Sequence, residues 1–318
     1  MKNRLDLSVI IPLYNEEENI SPLYSKLKSS LSRLKKTYEI ILVDDGSVDK
    51  SLERLKAIQK RDSHVRIISF RGNFGQSAAI SAGFSSGNGN IFIVMDADLQ
   101  NDPDDISKLL GKLEEGYDVV SGWRYKREDP ASKIIPSKIS NWMHRKLTGI
   151  NIHDSGCSLK AYKKEAVEGL ELYGEMHRYI PALIAAKGFK IGEVKVEHHY
   201  RKFGNTKYGF LRIYGGFLDL LYVYFITKYS DKPLHFFGKW GLVQIIAGLI
   251  LGIWRGADLF VKRVIYKIDV QFGSLLLLAV FLLITGTLFI MFGFLAELMI
   301  RAHFQNSKNK NYSIKEML

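Results

Sequence analysis

Cysteine is nearly absent from this sequence, because the 318 residues include only Cys157. An intrachain disulfide needs two cysteines, and a zinc site built on a CxxC pair needs at least as many. Both are therefore excluded, which is compatible with a reducing compartment. A lone free cysteine is most often a small buried hydrophobe, so we expect Cys157 to contribute to packing.

Acidic residues are also in deficit. Asp and Glu total 33 against 45 Lys and Arg, which gives a formal net charge of +12. Such a balance indicates an anionic partner, and nucleic acid, anionic lipid or a phosphorylated substrate would satisfy it. The sequence has no recognisable nucleic-acid-binding motif, and its basic residues cluster beside apolar segments. We therefore expect no nucleic-acid partner.

Two further features that are absent are a signal peptide and, in one long apolar segment, charge. The first apolar run is too short for a signal peptide and has no small-residue cleavage site, so the N-terminal part is expected to stay on the cytoplasmic side. Residues 272–296 contain no charged residue and are long enough to cross about 30 Å of hydrocarbon at about 1.5 Å per residue. Residues 236–254 carry only Lys239 and have tryptophans near both ends.

These two apolar segments predict transmembrane helices over about 236–254 and 272–298, in a membrane domain of residues 233–318. A buried core helix is the alternative for each. The basic residues after the second segment favour a cytoplasmic C-terminus, although the linker between the segments is basic as well.

The pattern before residue 233 is different. Four short apolar runs, "LSVIIPLYN", "YEIILVDDGS", "VRIISFRGN" and "NIFIVMDAD", alternate with helical stretches such as 20–34 and 50–61. This alternation predicts an α/β domain with a Rossmann-like, mostly parallel sheet, whose ligands bind at the carboxyl ends of the strands. Polar side chains follow the four strands at those ends: Asn15 and Glu16, Asp44 and Asp45, Asn73, and Asp96 and Asp98.

Asp96 and Asp98 are candidate metal ligands. Residues i and i+2 of an extended segment point the same way, so both carboxylates can approach one ion if the strand geometry persists. Carboxylate and amide oxygens suit Mg²⁺ or Mn²⁺, and Gln100 offers a further oxygen. A helix cap or a turn is the alternative, but the position after a fourth buried strand favours the metal.

Five ordered segments resemble the inverting family-two glycosyltransferases with a GT-A fold: "SVIIPLYNEEENI", "ILVDDGSVDKS", "RGNFGQSAAISAGF", "VMDADLQNDP" and "DSGCSLKAY". Within that family they are most similar to the polyprenyl-phosphate glycosyltransferases, which include dolichol-phosphate mannose synthases and bactoprenol glucosyltransferases. The resemblance covers nearly the whole chain, since bacterial members also end in two membrane spans. It implies a GT-A catalytic domain over residues 1–232.

The resemblance implies a donor site. The residues implied to line the nucleotide-base pocket are Pro12, Tyr14, Asn15 and Glu16. Asp45 would contact the base or the ribose. Asp96, Asp98 and Gln100 match the family's DxD-x-Q and would hold Mg²⁺ or Mn²⁺ against the diphosphate of a nucleotide-sugar. Strand termination, packing and helix capping are the alternatives for the base-pocket residues.

The resemblance also implies an acceptor site. Asp154 occupies the place of the catalytic carboxylate, but a lipid phosphate is already ionised and needs little help from a base. Asp154 is therefore expected to position the acceptor or to order a basic residue, with a structural turn as the alternative. Arg124 and Arg127 are expected to face phosphate. Arg201 and Lys207, with Thr206 between them, match a family element near the diphosphate and the acceptor phosphate; a solvated basic face is the alternative.

Two segments suit a membrane interface. Residues 133–148 form one, in which apolar residues recur at helical spacing and a basic face opposes them. The apolar positions are Ile134, Ile135, Ile139, Trp142, Met143 and Leu147, and the opposite positions are Lys138, Asn141, Arg145 and Lys146. Residues 208–229 form the second, in which Arg212 and Asp219 disfavour a third span. Packing on the protein is the alternative for both.

The function implied is a single in-line displacement that transfers a hexose from a nucleotide-sugar to a polyprenyl phosphate at the cytoplasmic face of the plasma membrane. UDP-glucose is the expected donor, on the likeness to the bactoprenol glucosyltransferases; GDP-mannose and other UDP-sugars are alternatives. A membrane-bound polysaccharide synthase is an alternative enzyme, although the chain lacks the Q-x-x-R-W motif of that class. A membrane scaffold without enzymatic activity is the alternative from another class of protein. The partners expected are the nucleotide-sugar, the lipid phosphate, the bilayer and further copies of this chain, which form tetramers in similar proteins.

Overall fold

A computed structural model describes residues 5–125, 131–172, 174–200, 211–229, 232–268 and 273–306. The chain divides into two compact units, Met1–Thr227 and Lys228–Leu318. The first unit contains the sheet, and the described part of the second consists mainly of apolar helices.

The described part of the first unit contains one seven-stranded sheet in the order β3-β2-β1-β4-β6-β5-β7. Strand β6 pairs antiparallel with β4 and β5, and the other neighbours pair parallel. The prediction of a mostly parallel sheet is thus confirmed, and its four predicted strands are β1 to β4. The strands are β1 (Leu5–Leu13), β2 (Tyr38–Asp44), β3 (Val65–Ser69), β4 (Gly89–Val94), β5 (Val119–Arg124), β6 (Lys160–Lys163) and β7 (Ile191–Val196).

Helices separate most of these strands. Helix α1 begins at Glu17, three residues before the predicted start, because Glu17 and Glu18 place two carboxylates at the positive end of the helix dipole. The α-helices are α1 (Glu17–Arg33), α2 (Ser51–Gln59), α3 (Gln76–Ser86), α4 (Ile106–Glu114), α5 (Ala131–Thr148), α6 (Lys164–Val167), α7 (Ile180–Ala186), α8 (Leu211–Tyr229), α9 (Pro233–Phe260) and α10 (Ser274–Asn306). Short 3₁₀ turns occupy Pro103–Asp105 and Met176–Tyr179, and a π-helical turn at Val261–Ile265 follows α9.

The core lies on both faces of the sheet. Along β1, Val9 and Ile11 pack on one face with helices α1 and α4, while Ile10 packs on the other with α3 and α7. Strand β2 behaves in the same way, with Leu42 on the first face and Val43 on the second. Burial on two faces explains why these strands are continuous apolar runs rather than alternating ones.

Helix α5 departs from the predicted division into two faces. It begins at Ala131, and Asn141, predicted on the polar face, is buried instead. The Ser155 backbone N–H and Oγ donate to Asn141 Oδ1 at 3.3 and 2.8 Å. The prediction for Asn141 was wrong because its amide serves the loop at residue 155, a contact that helical spacing cannot reveal.

The apolar positions of α5 also divide. Met143 and Leu147 pack against the core, whereas Ile139 and Trp142 remain 55% and 54% exposed. Lys146 Nζ lies 5.1 Å from the centre of the Trp142 ring. The outer surface of α5 therefore combines large apolar side chains with lysine.

Helix α8 is anchored on the core by Leu220 and Val223, which are buried. On its other side, Leu218, Leu221 and Tyr222 are 40–46% exposed. Like α5, it presents apolar side chains outward from an anchored helix.

The second unit is built on close contact between α9 and α10. A Cβ atom added to Gly241 would lie 2.6 Å from the carbonyl oxygen of Gly286, and the reverse holds for Gly286. Beside this crossing, Thr285 Oγ1 donates to Gln244 Oε1 at 2.7 Å. Small residues that admit a close backbone approach, reinforced by a polar contact, are typical of helix pairs in membranes.

The outward surfaces of these helices are apolar and exposed. The stretches Pro233–Ile265 and Ser274–Ile300 are long and apolar enough to span a membrane, and only 11% of the most apolar window of each is buried. A core helix of a soluble protein would be mostly buried, so both are candidate membrane spans. The predicted span 236–254 lies within α9, and α10 covers residues 274–298 of the predicted span 272–298.

The glycine crossing generates a first prediction. Gly241→Ala should lower the thermal unfolding midpoint in detergent, because its methyl group overlaps α10 and overpacking costs about 1–3 kcal/mol. Gly256→Ala is the matched control, since it lies on the same helix with nothing within 4 Å of an added Cβ. Equal midpoints for the two variants, measured by loss of helical circular dichroism, would contradict the close contact.

Candidate active site

The loops after β1 and β2 are interlocked. Asn15 has a φ of +52°, in the left-handed region that asparagine tolerates. Its backbone N–H donates to Ser47 Oγ at 2.9 Å, and its side-chain Oδ1 accepts from the Val48 N–H at 2.8 Å. The Glu16 N–H donates to Ser51 Oγ at 3.0 Å. Asn15 and Glu16, two of the four predicted base-pocket residues, therefore lie beside the loop that carries Asp45.

Pro12 and Tyr14 belong to the same edge. Pro12 is buried within β1 and pairs with Val43 of β2, so it does not end the strand. Tyr14 follows the last residue of β1 and is half-exposed. Of the two, Tyr14 is the side chain open to solvent, and nucleotide-base contact by either stays a prediction.

Asp45 joins the second loop to the third. Its carboxylate accepts from the Phe74 N–H at 2.7 Å and the Gly75 N–H at 2.9 Å, and it is 4% exposed. Gly46 is needed beside it, because its φ is +73° and an added Cβ would lie 2.4 Å from the Gly72 carbonyl carbon. Asp45 thus positions the segment before α3, in addition to its predicted contact with base or ribose.

The metal-ligand candidates lie beyond the end of β4. The strand ends at Val94, so strict strand geometry does not persist to Asp96. The alternation of burial persists nonetheless: the odd positions 95, 97 and 99 are buried, and Asp96, Asp98 and Gln100 are half-buried. All three predicted ligands therefore share the more open side of the segment.

Hydrogen bonds orient both carboxylates of this set. Gln76 Nε2, at the start of α3, donates to Asp96 Oδ1 at 2.7 Å. The Gln100 N–H donates to Asp98 Oδ1 at 3.2 Å. Leu99, between Asp98 and Gln100, has a φ of +62° that turns the chain at this point.

The donor set fits an ion that is shared with substrate. Within the described ranges, no group of three or more His, Cys, Asp and Glu side chains is placed to hold a metal by itself. Two carboxylates and one amide oxygen leave coordination positions for water and phosphate, the arrangement in which Mg²⁺ commonly binds. Asp96, Asp98 and Gln100 therefore fit a hard divalent ion that binds together with a diphosphate.

Asp154 and Arg124 form a buried ion pair. Arg124 Nε and Nη2 donate to the two Asp154 oxygens at 2.6 and 2.9 Å, and the side chains are 14% and 4% exposed. The Arg124 backbone N–H adds a contact of 3.3 Å. A carboxylate held by a bidentate guanidinium is a weak base. Of the predicted roles of Asp154, the geometry favours the ordering of a basic residue.

Glu193 on β7 holds the loop that carries Asp154. Its Oε1 accepts from the His153 and Asp154 backbone N–H groups at 2.8 and 3.1 Å. Cys157, in the same loop, is fully buried, and burial raises the pKa of its thiol to about 11. A neutral buried thiol agrees with the packing role expected for Cys157.

The predicted phosphate contacts of Arg127, Arg201 and Lys207 lie outside the described residues, as does Thr206. Of the residues predicted for an acceptor site, the structure describes Arg124 and Asp154.

A cavity beside Asp96 contains residues that sequence reasoning missed. It encloses about 450 Å³, including open space at its mouth, and its polar lining includes Gln76, Lys160, His177 and Arg178. Gln76 lies within the segment "RGNFGQSAAISAGF" and Lys160 within "DSGCSLKAY", but the resemblance assigned no role to either residue. His177 and Arg178 lie 81 and 82 positions after Asp96 in the numbering, and no sequence pattern links them to it.

The parallel order β3-β2-β1-β4, the antiparallel β6 and a polar site at the carboxyl edge define a GT-A-like fold. Residues 8–170 match the model of Glycosyl transferase family 2, and the chain belongs to this family. The protein is accordingly a glycosyltransferase, and the scaffold alternative is disfavoured.

Two relatives align with almost the whole chain. The dodecaprenyl-phosphate galacturonate synthase of Rhizobium johnstonii is 36% identical over 98% of this chain and 93% of its own length. The undecaprenyl-phosphate 4-deoxy-4-formamido-L-arabinose transferase of Photorhabdus laumondii is 36% identical over 98% of this chain and 94% of its own.

Among solved structures, glucosyl-3-phosphoglycerate synthase from Mycobacterium tuberculosis has a similar fold. Its complex with Mn²⁺, UDP and phosphoglyceric acid gives a TM-score of 0.55 at 18% identity, covering 70% of this chain and 78% of that one. At this identity the likeness concerns the fold alone.

The buried ion pair generates a second prediction. Asp154→Asn should lower the free energy of unfolding by about 3–5 kcal/mol, because it leaves the Arg124 charge buried without its partner. A double-mutant cycle with Arg124→Gln, measured by urea unfolding in detergent, should yield a coupling of about 1–3 kcal/mol.

The control cycle uses Asp118 and Lys163, an ion pair of 2.8 Å with side chains 18% and 34% exposed. Its coupling should be below about 1 kcal/mol because solvent screens it. If Asp154→Asn abolishes activity with unchanged stability, Asp154 acts on substrate and the ordering role is wrong.

Proposed function

We propose that the protein transfers a sugar from a nucleotide-sugar to a polyprenyl phosphate, with inversion at the anomeric carbon. The observation that carries the proposal is the likeness of 98% of the chain to two relatives whose names share the polyprenyl-phosphate acceptor but not the sugar. The names of these relatives agree in the acceptor and differ in the sugar. We therefore extend the polyprenyl-phosphate acceptor to this chain from the relatives, and the sugar is chosen on other grounds.

The donor would bind over the loops after β1, β2 and β4. Asp96, Asp98 and Gln100 would hold a divalent ion, Mg²⁺ or Mn²⁺, against the diphosphate. When bound, that ion supplies Lewis-acid stabilisation of the charge that develops on the leaving nucleoside diphosphate. Tyr14, Asn15 and Glu16 would line the base pocket together with Pro12, and Asp45 keeps the loop before α3 in place.

The acceptor would attack without a protein base. A phosphate monoester carries about −1.5 to −2 charges near pH 7, so its oxygen is already a nucleophile. The bond from that oxygen to the anomeric carbon forms as the carbon–oxygen bond to the diphosphate breaks, and the electron pair leaves with the nucleoside diphosphate. This agrees with the engagement of both Asp154 oxygens by Arg124. Arg127, Arg201 and Lys207 remain the predicted contacts of the lipid phosphate.

The lipid acceptor requires a membrane, and three helices support one. Helices α9 and α10 are candidate spans with exposed apolar surfaces. Helix α5 presents Ile139 and Trp142 to solvent together with Lys138 and Lys146, a composition suited to a membrane interface. We infer a multi-pass protein of the plasma membrane whose catalytic domain, residues 1–232, is cytoplasmic. A homo-oligomer, tetrameric by analogy, stays a prediction.

UDP-glucose remains the proposed donor, with GDP-mannose as the alternative. The two relatives justify adding an acidic sugar to any panel, because one of them is named for galacturonate. A polysaccharide synthase would instead elongate a chain, and the two candidate spans of the described helices suit a lipid-phosphate transferase better.

The third prediction tests this function. Purified protein in detergent is mixed with undecaprenyl phosphate, Mg²⁺ or Mn²⁺, and radiolabelled UDP-glucose, GDP-mannose, UDP-N-acetylglucosamine or UDP-galacturonate. We expect one donor to deliver label to the organic phase, EDTA to abolish it, and Asp96→Asn to reduce it at least about 100-fold.

Asp104→Asn is the matched control, because Asp104 is a 60% exposed carboxylate eight positions after Asp96 and pairs with Arg33. It should keep full transfer. Donor hydrolysis with no label in the organic phase would show that the acceptor is something else. Retained configuration in the product would refute the single displacement.

A further inference from the structure

Lys160 on β6 carries a buried ammonium group. The residue is 3% exposed, and Nζ donates to the carbonyl oxygens of Ser155, at 3.2 Å, and of Cys157. An ammonium has three N–H donors, so one remains after these two contacts. Among the residues that the structure describes, no carboxylate lies within ion-pair distance of Nζ.

The nearby carboxylates are engaged elsewhere. Asp154 is bound by Arg124, and Asp96 accepts from Gln76 and is a proposed metal ligand. Both act on Lys160 only through longer-range attraction, and burial lowers the pKa of Lys160. A buried cation without a hydrogen-bonded anion is costly in free energy, so it marks a place where an anionic ligand would be stabilised.

The free side of Lys160 faces the cavity beside Asp96, where a second cation joins it. The described contact of the Arg178 guanidinium is a loose one with Glu175 at 3.7 Å, and both side chains are about one-third exposed. His177 is fixed next to Arg178, since its Nδ1 and its backbone N–H each lie 3.1 Å from Ser77 Oγ. Two cations thus line the cavity against the single carboxylate of Asp96.

The pairing of β4 with β6 places the cavity next to the proposed reaction centre. Lys160 pairs with Val94 across β4 and β6, and Asp96 follows Val94 by two positions. Val94, Asp96 and Lys160 all line the cavity. A group bound there would lie next to the carboxylate that is proposed to hold the ion. It would therefore be close to the sugar that is transferred from the diphosphate.

We propose that the cavity formed by Lys160, His177 and Arg178 is an oxyanion subsite for a reactant group other than the donor diphosphate. The shared chemistry is a phosphate or carboxylate that accepts from the Lys160 ammonium and from the planar fork of Arg178. Two sources provide it: the phosphate of the lipid acceptor, or a carboxylate on the transferred sugar. This inference rests on the proposed function. It gives a role to Lys160, which lies within the segment "DSGCSLKAY", and adds His177 and Arg178, which lie outside the five quoted segments.

The test, a fourth prediction, compares Arg178→Gln and Lys160→Met with the wild type in detergent. Titration calorimetry with farnesyl phosphate and with UDP provides a readout besides activity, and KM is measured for undecaprenyl phosphate, UDP-glucose and UDP-galacturonate. If the subsite takes the acceptor, the Kd of farnesyl phosphate and the KM of undecaprenyl phosphate rise about 10- to 100-fold. If it takes a sugar carboxylate, the KM of UDP-galacturonate alone rises by that factor.

The controls separate charge loss from misfolding. Arg33→Gln removes an exposed guanidinium and Lys164→Met removes an exposed ammonium four residues after Lys160; both should match the wild type. Arg178→Lys should recover part of the affinity because it restores the charge without the fork. Lys160 also holds the 155–157 loop, so Lys160→Met can lower the unfolding midpoint. In that case the Kd and KM values of Arg178→Gln alone test the inference.

Three results would be decisive. Unchanged Kd and KM values in a folded Arg178→Gln variant would overturn the inference while the wild type still transfers sugar. Weakened UDP binding by the same factor as the other ligands would also overturn it, because the cavity would then serve the diphosphate. A wild type that transfers no sugar to lipid phosphate would instead refute the proposed function.

Discussion

Parallel pairing of β1 with both β2 and β4 is the constraint on which the rest of the structure depends. It brings the ends of three strands to one edge, with Leu13 opposite Asp44 and Ile10 opposite Val94. Because the middle of each of these strands is buried on two faces, the polar side chains of this edge lie at the strand ends or just past them. Asn15, Asp45 and Asp96 occupy these positions, and hydrogen bonds between the loops then hold them together.

Several polar groups at this edge form hydrogen bonds with one another. Asp45 accepts from two backbone N–H groups of the loop before α3, and Gln76 at the start of that helix donates to Asp96. The Arg124–Asp154 pair similarly fixes the loop next to β6. Such contacts preorganise the site, so that little reorganisation is needed when charge develops on a leaving diphosphate.

Sequence patterns predicted some elements well and others poorly, for identifiable reasons. The apolar runs located β1 to β4, because burial on both faces leaves a continuous signal. Spacing in the DxD segment predicted the shared side of Asp96 and Asp98, although β4 ends before them. Helical spacing failed for Asn141, because its partner Ser155 lies outside the helix. For Asp154 the sequence predicted a basic partner as one of several roles, but it did not identify Arg124 as that partner. Helical spacing describes one helix and carries no information about what packs on it.

The sequence by itself determined the α/β class, the two apolar C-terminal helices, the family and the candidate metal ligands, because each depends on local pattern or on ordered motifs. Only the tertiary structure decided which charges meet. It paired Arg124 with Asp154 and left Lys160 beside Arg178 in the cavity next to Asp96. The strength of an electrostatic interaction depends on the distance between the charges and on their burial. Distance and burial are set by the folded chain and cannot be read from spacing in the sequence.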